Sequence, residues 1–251
     1  MQTEGKVAVV TGGVSGFGRA MVEQLCKQGA QVVVFDRDPD GAQKLSQNET
    51  KDVLFLQCDI TVPGEVEKAV ETTFQQFGCI DILINNAGIL FSAPLISFSG
   101  GKFERHSIED WNKVINTNLT SVFLVTSFVA QKMVQKRTKG VIINISSISA
   151  NGNPGQSAYS AAKAGVNALT ATWARELSML GIRVAAVAPG FFDTPSTHEA
   201  VPETTLKEIK KRIPLRRLGK MEELVYGVMH IIANDFYNGK VLELDGGHVL
   251  S

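Results

Sequence analysis

The sequence predicts a single-domain α/β fold: a doubly wound, seven-stranded parallel sheet with helices on both faces. Three observations support this prediction. Short apolar runs alternate with helix-like stretches along the chain. Some of these runs are apolar at nearly every position, as in Val141–Ile145, which is typical of strands buried on both faces of a sheet. The 251 residues show no shift in composition, and α/β folds often reach this length as one unit.

The predicted strands are short. They span residues 7–11, 31–36, 53–59, 80–85, 141–146, 183–188 and 240–245. Helices are expected between them, and two of these, at 122–134 and 166–180, are apolar on more than one face. In such sheets the ligand lies beyond the carboxyl ends of the strands, so we look for functional residues there.

The composition excludes several classes of partner. Lys plus Arg number 25 and Asp plus Glu also number 25, so no basic excess indicates nucleic acid. Three cysteines without a CxxC pair and four scattered histidines lack metal-ligand spacing, so no metal is expected. The polar N-terminus does not resemble a signal peptide, and no apolar run approaches the roughly 18 residues of a membrane span. We therefore expect a cytoplasmic protein with a small-molecule partner and no membrane association.

A glycine-rich loop follows the first predicted strand. It reads TGGVSGFG over residues 11–18, and a helical stretch begins near Arg19. Glycines at this point let the backbone turn tightly and approach a pyrophosphate, which the N-terminus of the helix attracts. The position of the loop directly after a strand makes this nucleotide-binding interpretation specific. The cofactor-binding residues predicted here are Gly12, Ser15, Gly16, Phe17 and Gly18.

Asp36 ends the second predicted strand, eighteen residues beyond Gly18, where a carboxylate accepts hydrogen bonds from the adenosine ribose. It would repel the 2′-phosphate of NADP, and the glycine loop holds no basic residue, so NAD(H) is predicted over NADP(H). The neighbouring Arg37, also predicted to bind the cofactor, makes this preference less distinct, and a solvated acid at the strand end is the alternative for Asp36. Asp59 and Ile60 are predicted to lie near the adenine, with a helix cap as the alternative for Asp59.

Tyr159 and Lys163 lie four residues apart after the fifth predicted strand, which places them on one face of a helix. Lowering a tyrosine pKa from about 10 to about 7 takes roughly 4 kcal/mol. One ammonium about 4 Å away supplies roughly that much at an effective dielectric of about 20, and an oxidised nicotinamide would add to it. Tyr159 is therefore predicted to act as a general acid or base near neutral pH. An amphipathic surface pair is the alternative.

Seven motifs, in their order and spacing, resemble the short-chain dehydrogenase/reductase family over nearly the whole chain. They are TGGVSGFG at 11, Asp36, NNAG at 85, NTNL at 116, the ISS-to-YSAAK stretch from 145 to 163, APGFFDT at 188 and LDGG at 244. The resemblance implies a Rossmann fold in which hydride passes directly between the nicotinamide and the carbinol carbon. It also implies cofactor contacts from Asn86, Ala87, Gly88, Tyr159, Lys163, Pro189, Gly190, Phe192 and Thr194. Thr194 matches the residue that bonds the nicotinamide carboxamide, and a cap before Pro195 is its alternative.

The same resemblance implies four catalytic roles. Ser147 polarises the substrate oxygen, Tyr159 transfers the proton, Lys163 binds the nicotinamide ribose and lowers the tyrosine pKa, and Asn118 holds a water in the proton relay. The serine departs from the family pattern, which usually places it thirteen residues before the tyrosine, at Ser146. Counting from the strand end selects Ser147, and neighbours on an extended chain point in opposite directions, so only one can serve. We choose Ser147, which assumes that the loop at 151–154 is one residue short.

Two variable regions bear on the substrate. Residues 89–110 are more numerous than in most of the family, and residues 191–217 are predicted to form a mobile lid. Six basic residues crowd the lid, at Lys207, Lys210, Lys211, Arg212, Arg216 and Arg217. The insertion and the closing run at 213–240 are most similar to the type II 3-hydroxyacyl-CoA dehydrogenase branch. That resemblance implies a thioester substrate with the basic lid near the CoA phosphates, and a solvated helix face is the alternative.

The resemblance predicts an NAD(H)-dependent oxidoreductase that interconverts a secondary alcohol and a ketone, with a 3-hydroxyacyl-CoA and 3-oxoacyl-CoA pair as first choice. The alternatives are a 3-oxoacyl-ACP reductase, a hydroxysteroid or simple secondary-alcohol dehydrogenase, and a non-catalytic nucleotide-binding scaffold. The presence of Asn118, Tyr159 and Lys163 argues against the scaffold. By resemblance, the outer faces of the two apolar helices and the tail at 240–250 would pair between subunits of a homotetramer.

Overall fold

The computed structural model describes residues 1–46 and 53–248, so residues 249 and 250 of the predicted subunit-interface tail lie outside the described residues. The strands are β1 (Val7–Thr11), β2 (Gln31–Asp36), β3 (Val53–Gln57), β4 (Ile82–Asn85), β5 (Ile96–Ser99), β6 (Lys102–Arg105), β7 (Val141–Ile145), β8 (Arg183–Pro189) and β9 (Val241–Leu244). Seven of them form a sheet in the order β3-β2-β1-β4-β7-β8-β9, in which every neighbouring pair is parallel. The predicted doubly wound α/β fold is therefore confirmed.

Helices cover both faces of this sheet. They are α1 (Gly16–Lys27), α2 (Gly41–Ser46), α3 (Pro63–Phe77), α4 (Ile108–Ile115), α5 (Ser121–Gln135), α6 (Ser157–Leu177), α7 (Pro195–Ala200), α8 (Glu203–Arg212) and α9 (Met221–Ala233). A π-helical turn, Asn116–Thr120, joins α4 to α5, and 3-10 turns lie at Ile148–Asn151 and Ser178–Leu180. Side chains of α1 and α9 pack on one face of the sheet, whereas those of α3, α5 and α6 pack on the other.

Alternate residues of each central strand face opposite cores. In β2, Val32 and Val34 belong to the core beneath α1 and α9, and Val33 belongs to the core beneath α3, α5 and α6. Because successive side chains of a strand point to opposite faces, a strand covered on both sides must be apolar at every position. This explains the continuous apolar runs in the sequence.

The strand order reverses between β1 and β4. The chain moves outward from β1 to β2 and β3, and it then returns to place β4 on the other side of β1. In open sheets of this kind, ligands bind in the crevice outside the carboxyl ends of the strands at this reversal. The loops that follow β1 and β4 are therefore the first place to look for a site.

Some elements differ from their predicted bounds. β3 ends at Gln57, two residues early, because Asp59 turns the chain by accepting hydrogen bonds from Thr61. α1 begins at Gly16, three residues before the predicted start. Residues 96–105, expected as part of a variable loop, form the antiparallel hairpin of β5 and β6.

One helical segment meets the length and composition criteria for a membrane span. It runs over Ile108–Gln135, 28 residues, and has a mean hydropathy of 1.2 in its most apolar window. This finding corrects the expectation that the chain holds no such stretch. The same criteria are met by core helices of soluble proteins, and 44% of this window is buried inside the molecule. Val125 and Val129 of α5 supply part of that burial by packing against the sheet.

Candidate active site

The glycine loop, residues 11–18, passes too close to neighbouring backbone for side chains at Gly12 and Gly18. A Cβ at Gly12 would lie 2.9 Å from the Cα of Ala87, and a Cβ at Gly18 would lie 2.0 Å from the carbonyl oxygen of Gly12. Gly12 also has a φ of 65°, which other residues rarely adopt. The mouth of the crevice is therefore lined here by bare backbone.

The N-terminus of α1 is suited to an anion. Within the described chain, the N-cap residue Ser15 makes no side-chain capping bond, and the first turn carries no acidic residue. Gly16 has a φ of 53°, and no heavy atom of the described residues lies within 4 Å of the place its Cβ would take. The unpaired N–H groups and the dipole of a helix N-terminus favour negative charge, so a dinucleotide pyrophosphate fits this cradle.

Thr11 joins the glycine loop to the loop after β4. Its Oγ1 accepts hydrogen bonds from the backbone N–H groups of Asn86 and Ala87, each at 3.0 Å. The side-chain amide of Asn86 donates in turn to the carbonyl oxygens of Thr11 and Gly12, at 3.0 and 3.1 Å. The sequence prediction includes Asn86 and Ala87 but misses Thr11, whose only signal is a hydroxyl at the end of an apolar strand.

Asp36 lies at the end of β2, beside the glycine loop. Its two carboxylate oxygens accept hydrogen bonds from the backbone N–H groups of Val14, at 3.3 Å, and Asp38, at 3.1 Å. The residue is half-buried, whereas the neighbouring Arg37 is exposed. These bonds turn the carboxylate toward the loop and argue against a fully solvated acid.

Asp59 and Ile60 follow β3 at the same edge of the sheet. The Oδ1 atom of Asp59 accepts hydrogen bonds from the N–H and the hydroxyl of Thr61, at 2.9 and 2.7 Å, and these bonds lower the pKa of the carboxyl. The N-cap of α3 is Val62, so Asp59 stabilises the turn before the helix rather than capping it. Ile60 is buried. Contact of these two residues with an adenine stays a prediction.

Asn118 is buried in the π-helical turn between α4 and α5. Its Oδ1 accepts from the backbone N–H of Ile89 at 2.8 Å, and its Nδ2 donates to the carbonyl oxygen of Ile89 at 2.7 Å. A Cβ at Gly88 would lie 3.0 Å from that Oδ1. π-Helical turns are frequent at functional sites. With both ends of its amide bonded to Ile89, Asn118 positions the loop after β4, and its role in a proton relay stays a prediction.

Ser147, Tyr159 and Lys163 meet at the carboxyl end of β7. The Ser147 side chain lies close enough to the Tyr159 phenol to interact with it and lower its pKa. Lys163 is buried, and its Nζ donates to the carbonyl oxygen of Ile145 at 2.7 Å and lies 5.7 Å from the centroid of the Tyr159 ring. The Ser146 hydroxyl donates instead to the carbonyl oxygen of Lys163, at 3.4 Å. Of the two candidate serines, it is therefore Ser147 that the fold brings to the tyrosine.

Local structure explains this arrangement. Ser147 is the N-cap of the 3-10 turn Ile148–Asn151, where its Oγ also accepts from the N–H of Ser149 at 3.1 Å. Tyr159 and Lys163 both belong to α6, and a spacing of four residues puts them on one face of that helix. A short turn after β7 and the first two turns of α6 thus hold the three side chains.

The pKa of Tyr159 is raised, and the lowering expected from the sequence is not found. Loss of water around the phenol raises this pKa, and the interaction with Ser147 lowers it by less. Burial also lowers the pKa of Lys163 to about 8, so the amine still carries most of its charge at neutral pH but loses it more readily than an exposed lysine. In addition, the Nζ of Lys163 is bonded to a backbone carbonyl. The phenol of this structure therefore stays protonated near neutral pH.

The chain leaves Pro189, the last residue of β8, along the other side of the crevice. A Cβ at Gly190 would lie 2.8 Å from the Cα of Asp245, so the chain passes close to the loop after β9. Phe192 is buried, and its ring meets that of Phe17 edge-on with the centroids 5.3 Å apart. This ring contact connects the segment after β8 to the glycine loop.

Thr194 caps the short helix α7. Its Oγ1 accepts from the N–H of Thr197 at 3.1 Å, so the capping alternative is confirmed. On the same turn, Nε2 of His198 lies 2.6 Å from Oδ1 of Asp193. Contact of Thr194 with a nicotinamide carboxamide stays a prediction.

The basic cluster of the predicted lid, residues 191–217, is partly paired. Lys211 forms an ion pair with Glu208 at 2.8 Å, and Arg217 forms two bonds to Glu223 of α9, at 2.6 and 2.7 Å. The other members form no ion pair within the described ranges: Lys207, Lys210, Arg212 and Arg216. The predicted lid therefore contains four basic side chains that form no direct ion pair in the described ranges.

The glycine cradle, the open N-terminus of α1, the half-buried Tyr159 and the buried Lys163 lie at the carboxyl edge of one parallel sheet. In residues 1–46 and 53–248, no group of three or more His, Cys, Asp or Glu side chains is arranged to hold a metal ion. Such a sheet with such a site defines the class of nucleotide-dependent oxidoreductases.

Comparison with known proteins identifies the family. The short chain dehydrogenase family model matches residues 6–205. The 3-oxoacyl-acyl-carrier-protein reductase FabG of Thermotoga maritima is 40% identical over 256 residues, with 100% of both chains covered. The 3-hydroxyacyl-CoA dehydrogenase type-2 of Homo sapiens is 37% identical over 97% of this chain and 95% of its own. The crystal structure of a provisionally named gluconate dehydrogenase of Agrobacterium tumefaciens has a TM-score of 0.89 and 33% identity, over 98% of this chain and 96% of that chain.

The chain belongs to the short-chain dehydrogenase/reductase family. It is an oxidoreductase that acts on hydroxyl or keto groups with a nicotinamide cofactor. Two kinds of relative resemble the chain to nearly the same degree. The 3-oxoacyl-acyl-carrier-protein reductase is 40% identical to it, and the 3-hydroxyacyl-CoA dehydrogenase is 37% identical.

Proposed function

We propose that the chain is an NAD(H)-dependent 3-hydroxyacyl-CoA dehydrogenase, which interconverts 3-hydroxyacyl-CoA and 3-oxoacyl-CoA thioesters. The observation that carries the chemistry is the convergence of Ser147, Tyr159 and Lys163 after β7, where the buried Nζ of Lys163 lies 5.7 Å from the centroid of the Tyr159 ring. Two further observations support the thioester: the basic side chains of the predicted lid that form no direct ion pair in the described ranges, and the relatives named for this activity. A CoA thioester carries phosphates that such charge would attract.

Tyr159 is the group that exchanges a proton with the substrate oxygen in this proposal. Burial keeps its phenol neutral, so in the reducing direction it already carries the proton that the new alcohol needs. In the oxidising direction that proton must first leave, and oxidation is therefore favoured at higher pH. Ser147, which lies close to the same phenol, holds the substrate oxygen within reach of Tyr159.

Lys163 is suited to bind the nicotinamide ribose. An ammonium has three donors, and one of them is used by the carbonyl oxygen of Ile145. The other two remain for ribose hydroxyls and for the phenol of Tyr159. When bound, the nicotinamide supplies or accepts the hydride. The pyrophosphate would rest on the backbone between Gly12 and Gly18.

Asp36 carries the proposed preference for NAD(H), because a carboxylate beside the ribose accepts from its hydroxyls and repels a phosphate. We expect Asp36→Ala to raise the ratio of kcat/KM for NADPH over NADH by about tenfold or more. Asp40→Ala is the control, since Asp40 is an exposed acid on the same loop. A wild-type enzyme that prefers NADPH, or a ratio unchanged in Asp36→Ala, would contradict the preference.

The substrate proposal is tested by following NADH absorbance with acetoacetyl-CoA, acetoacetyl-ACP, a ketosteroid and a small ketone. The highest kcat/KM is expected with acetoacetyl-CoA. A higher value with the carrier-bound chain would favour the second candidate, a 3-oxoacyl-ACP reductase, which the 40% identity to FabG supports. Binding of NADH without turnover of any substrate would favour the scaffold.

We also propose a cytoplasmic homotetramer that binds neither membranes nor nucleic acid. The balance of 25 basic and 25 acidic residues gives no attraction for polyanions. Large apolar side chains are exposed on the outer faces of two helices, at Phe123 of α5 and Tyr226 of α9, and subunit contacts would cover them. Light scattering is expected to give four times the mass of one chain, and a monomer would contradict the assembly.

A further inference from the structure

A hairpin arm, residues 89–107, stands beside the catalytic helix and contains β5 and β6. The backbone N–H of Ala93 donates to the carbonyl oxygen of Gly155 at 2.7 Å, and Ala93 forms a parallel bridge with Gln156. Gln156 is the N-cap of α6 and precedes Tyr159 by three residues. The base of the arm is therefore a wall of the site that contains Tyr159.

His106 lies at the base of this arm with its polar atoms shielded. The residue is only half-buried, yet neither ring nitrogen is accessible to solvent, and neither has a hydrogen-bond partner among the described residues. Its ring meets the ring of Phe91 edge-on, with the centroids 5.8 Å apart. Its backbone N–H donates to the carbonyl oxygen of Leu95 at 2.9 Å, which closes the hairpin. The imidazole is thus held by ring contact and by no hydrogen bond within the described chain.

Packing does not explain a histidine in this environment. A half-exposed amphipathic side chain ordinarily turns its polar tip to water. A buried donor or acceptor without a partner costs about 1–3 kcal/mol, and an apolar side chain of similar size would avoid that cost. An unpaired buried polar group in a native fold calls for a functional explanation. A neutral imidazole offers one N–H donor and one acceptor to such a partner.

We propose that His106 is a specificity-determining residue whose imidazole N–H donates to the second carbonyl oxygen of the substrate, the thioester carbonyl of a 3-oxoacyl-CoA. This inference rests on the thioester function proposed above. The thioester carbonyl lies two carbons from the reacting ketone, so its recognition belongs to the wall that adjoins Tyr159. The edge contact with Phe91 is worth only about 0.5–1.5 kcal/mol, so a hydrogen bond to the substrate can offset the turning of the ring.

Three substrates, two variants of His106 and one control variant test the proposal. The substrates are acetoacetyl-CoA, ethyl acetoacetate, which keeps the second carbonyl without CoA, and a simple methyl ketone, which lacks that carbonyl. We expect His106→Leu to raise the KM of the first two roughly 3- to 10-fold, with little change in kcat and none with the methyl ketone. His106→Asn keeps an N–H donor and should recover part of the loss. His230→Leu, at an exposed position on α9, is the matched control and should change nothing.

The thermal unfolding midpoint separates recognition from folding. Leucine removes two unpaired polar atoms, so His106→Leu is not expected to lower Tm. A lower Tm, together with equal losses on all three substrates, would make His106 a structural residue and overturn the proposal.

The experiment gives different results if the CoA thioester is not the substrate and if His106 does not recognise the second carbonyl. A wild-type enzyme that reduces ethyl acetoacetate but not acetoacetyl-CoA contradicts the CoA proposal, and a KM shift with the keto ester in His106→Leu still supports the role of His106. An unchanged KM for the keto ester in that variant overturns the inference. Wild-type activity on the methyl ketone alone overturns both.

Discussion

The two halves of the crevice are built differently. On the cofactor side, Thr11 bonds the two loops together, and no Cβ fits at Gly12 or Gly18. On the proposed substrate side lie the arm and the predicted lid, and the rings of Phe98 and Phe103 in the arm are exposed to solvent. Close packing of backbone determines the first half, whereas side chains that can change without disturbing the sheet determine the second. Small substitutions should therefore weaken cofactor binding in the first half more than they weaken substrate binding in the second.

The largest expected effect tests the residue where the two halves meet. Tyr159→Phe keeps the ring and removes the hydroxyl, so it should abolish proton transfer and lower kcat roughly 10²- to 10⁴-fold. The Kd of NADH, measured by fluorescence titration, should change little because the phenol moves a proton and does not hold the cofactor. Tyr237→Phe, in the loop after α9, is the control. Equal losses of turnover and NADH affinity would remove the distinction between the halves.

The next effect separates the two serines. Ser147→Ala removes the hydroxyl that lies close to Tyr159 and should lower kcat about 10²-fold, as loss of one donor to a developing oxyanion does. Ser146→Ala should have a much smaller effect, because that hydroxyl donates to a backbone carbonyl. Steady-state kinetics of both variants decide the assignment. If Ser146→Ala loses more activity, the family's usual spacing holds and the assignment to Ser147 is wrong.

A pair of glycine substitutions sharpens the contrast in packing. Gly18→Ala would place a Cβ 2.0 Å from the carbonyl oxygen of Gly12, so the loop must shift and the Kd of NADH should rise at least about tenfold. Gly64→Ala in α3 is the matched control, since its Cβ would meet no heavy atom of the described residues within 4 Å. Isothermal titration with NADH measures both. Normal affinity in Gly18→Ala would show that the cofactor half is more tolerant than its packing implies.

The smallest effect concerns the link between the lid and α9. Arg217 and the N–H of Lys220 bond the Glu223 carboxylate and hold its pKa at about 2. A lowered carboxyl pKa stabilises the fold above the ordinary value near 4.5, and the stabilisation is lost as the pH falls toward 2. Because the pair is partly exposed, Glu223→Gln should cost less than about 1 kcal/mol.

Urea unfolding measures this difference, which should disappear in acid. The KM of the ketone substrate should rise slightly in Glu223→Gln, while the Kd of NADH stays unchanged. A larger effect on NADH than on the ketone would place the lid in the cofactor half.

The cofactor half could be predicted from the sequence because its signals are local. Strand ends, glycine spacing and the position of Asp36 are all found within about one βαβ unit. The hydrogen bonds of Thr11 are different, since its partners lie 75 and 76 residues further along the chain. The raised pKa of Tyr159 could not be predicted either, because burial depends on the packing of distant segments.

The substrate half held a local signal that the prediction missed. Ile96 and Phe98 alternate with serines, and Gly100 and Gly101 follow directly. Alternating residues before a two-glycine turn are typical of a β-hairpin, which is the structure found. The prediction assigned this stretch to a variable loop, because extra length relative to the family indicates where chains differ and not how they fold.

The π-helical turn has a consequence for how the arm is placed. The N–H of Ser121 donates to the carbonyl oxygen of Asn116, five residues earlier, so this turn holds one residue more than an α-helical turn. Deleting one residue here would restore ordinary helical register and rotate α4 by about 100° about its axis relative to α5. The side chain of Asn118 would then move away from Ile89. The two hydrogen bonds that hold the chain at the start of the arm would be lost. The one additional residue in this turn therefore helps to position the arm, residues 89–107, beside the site of Tyr159.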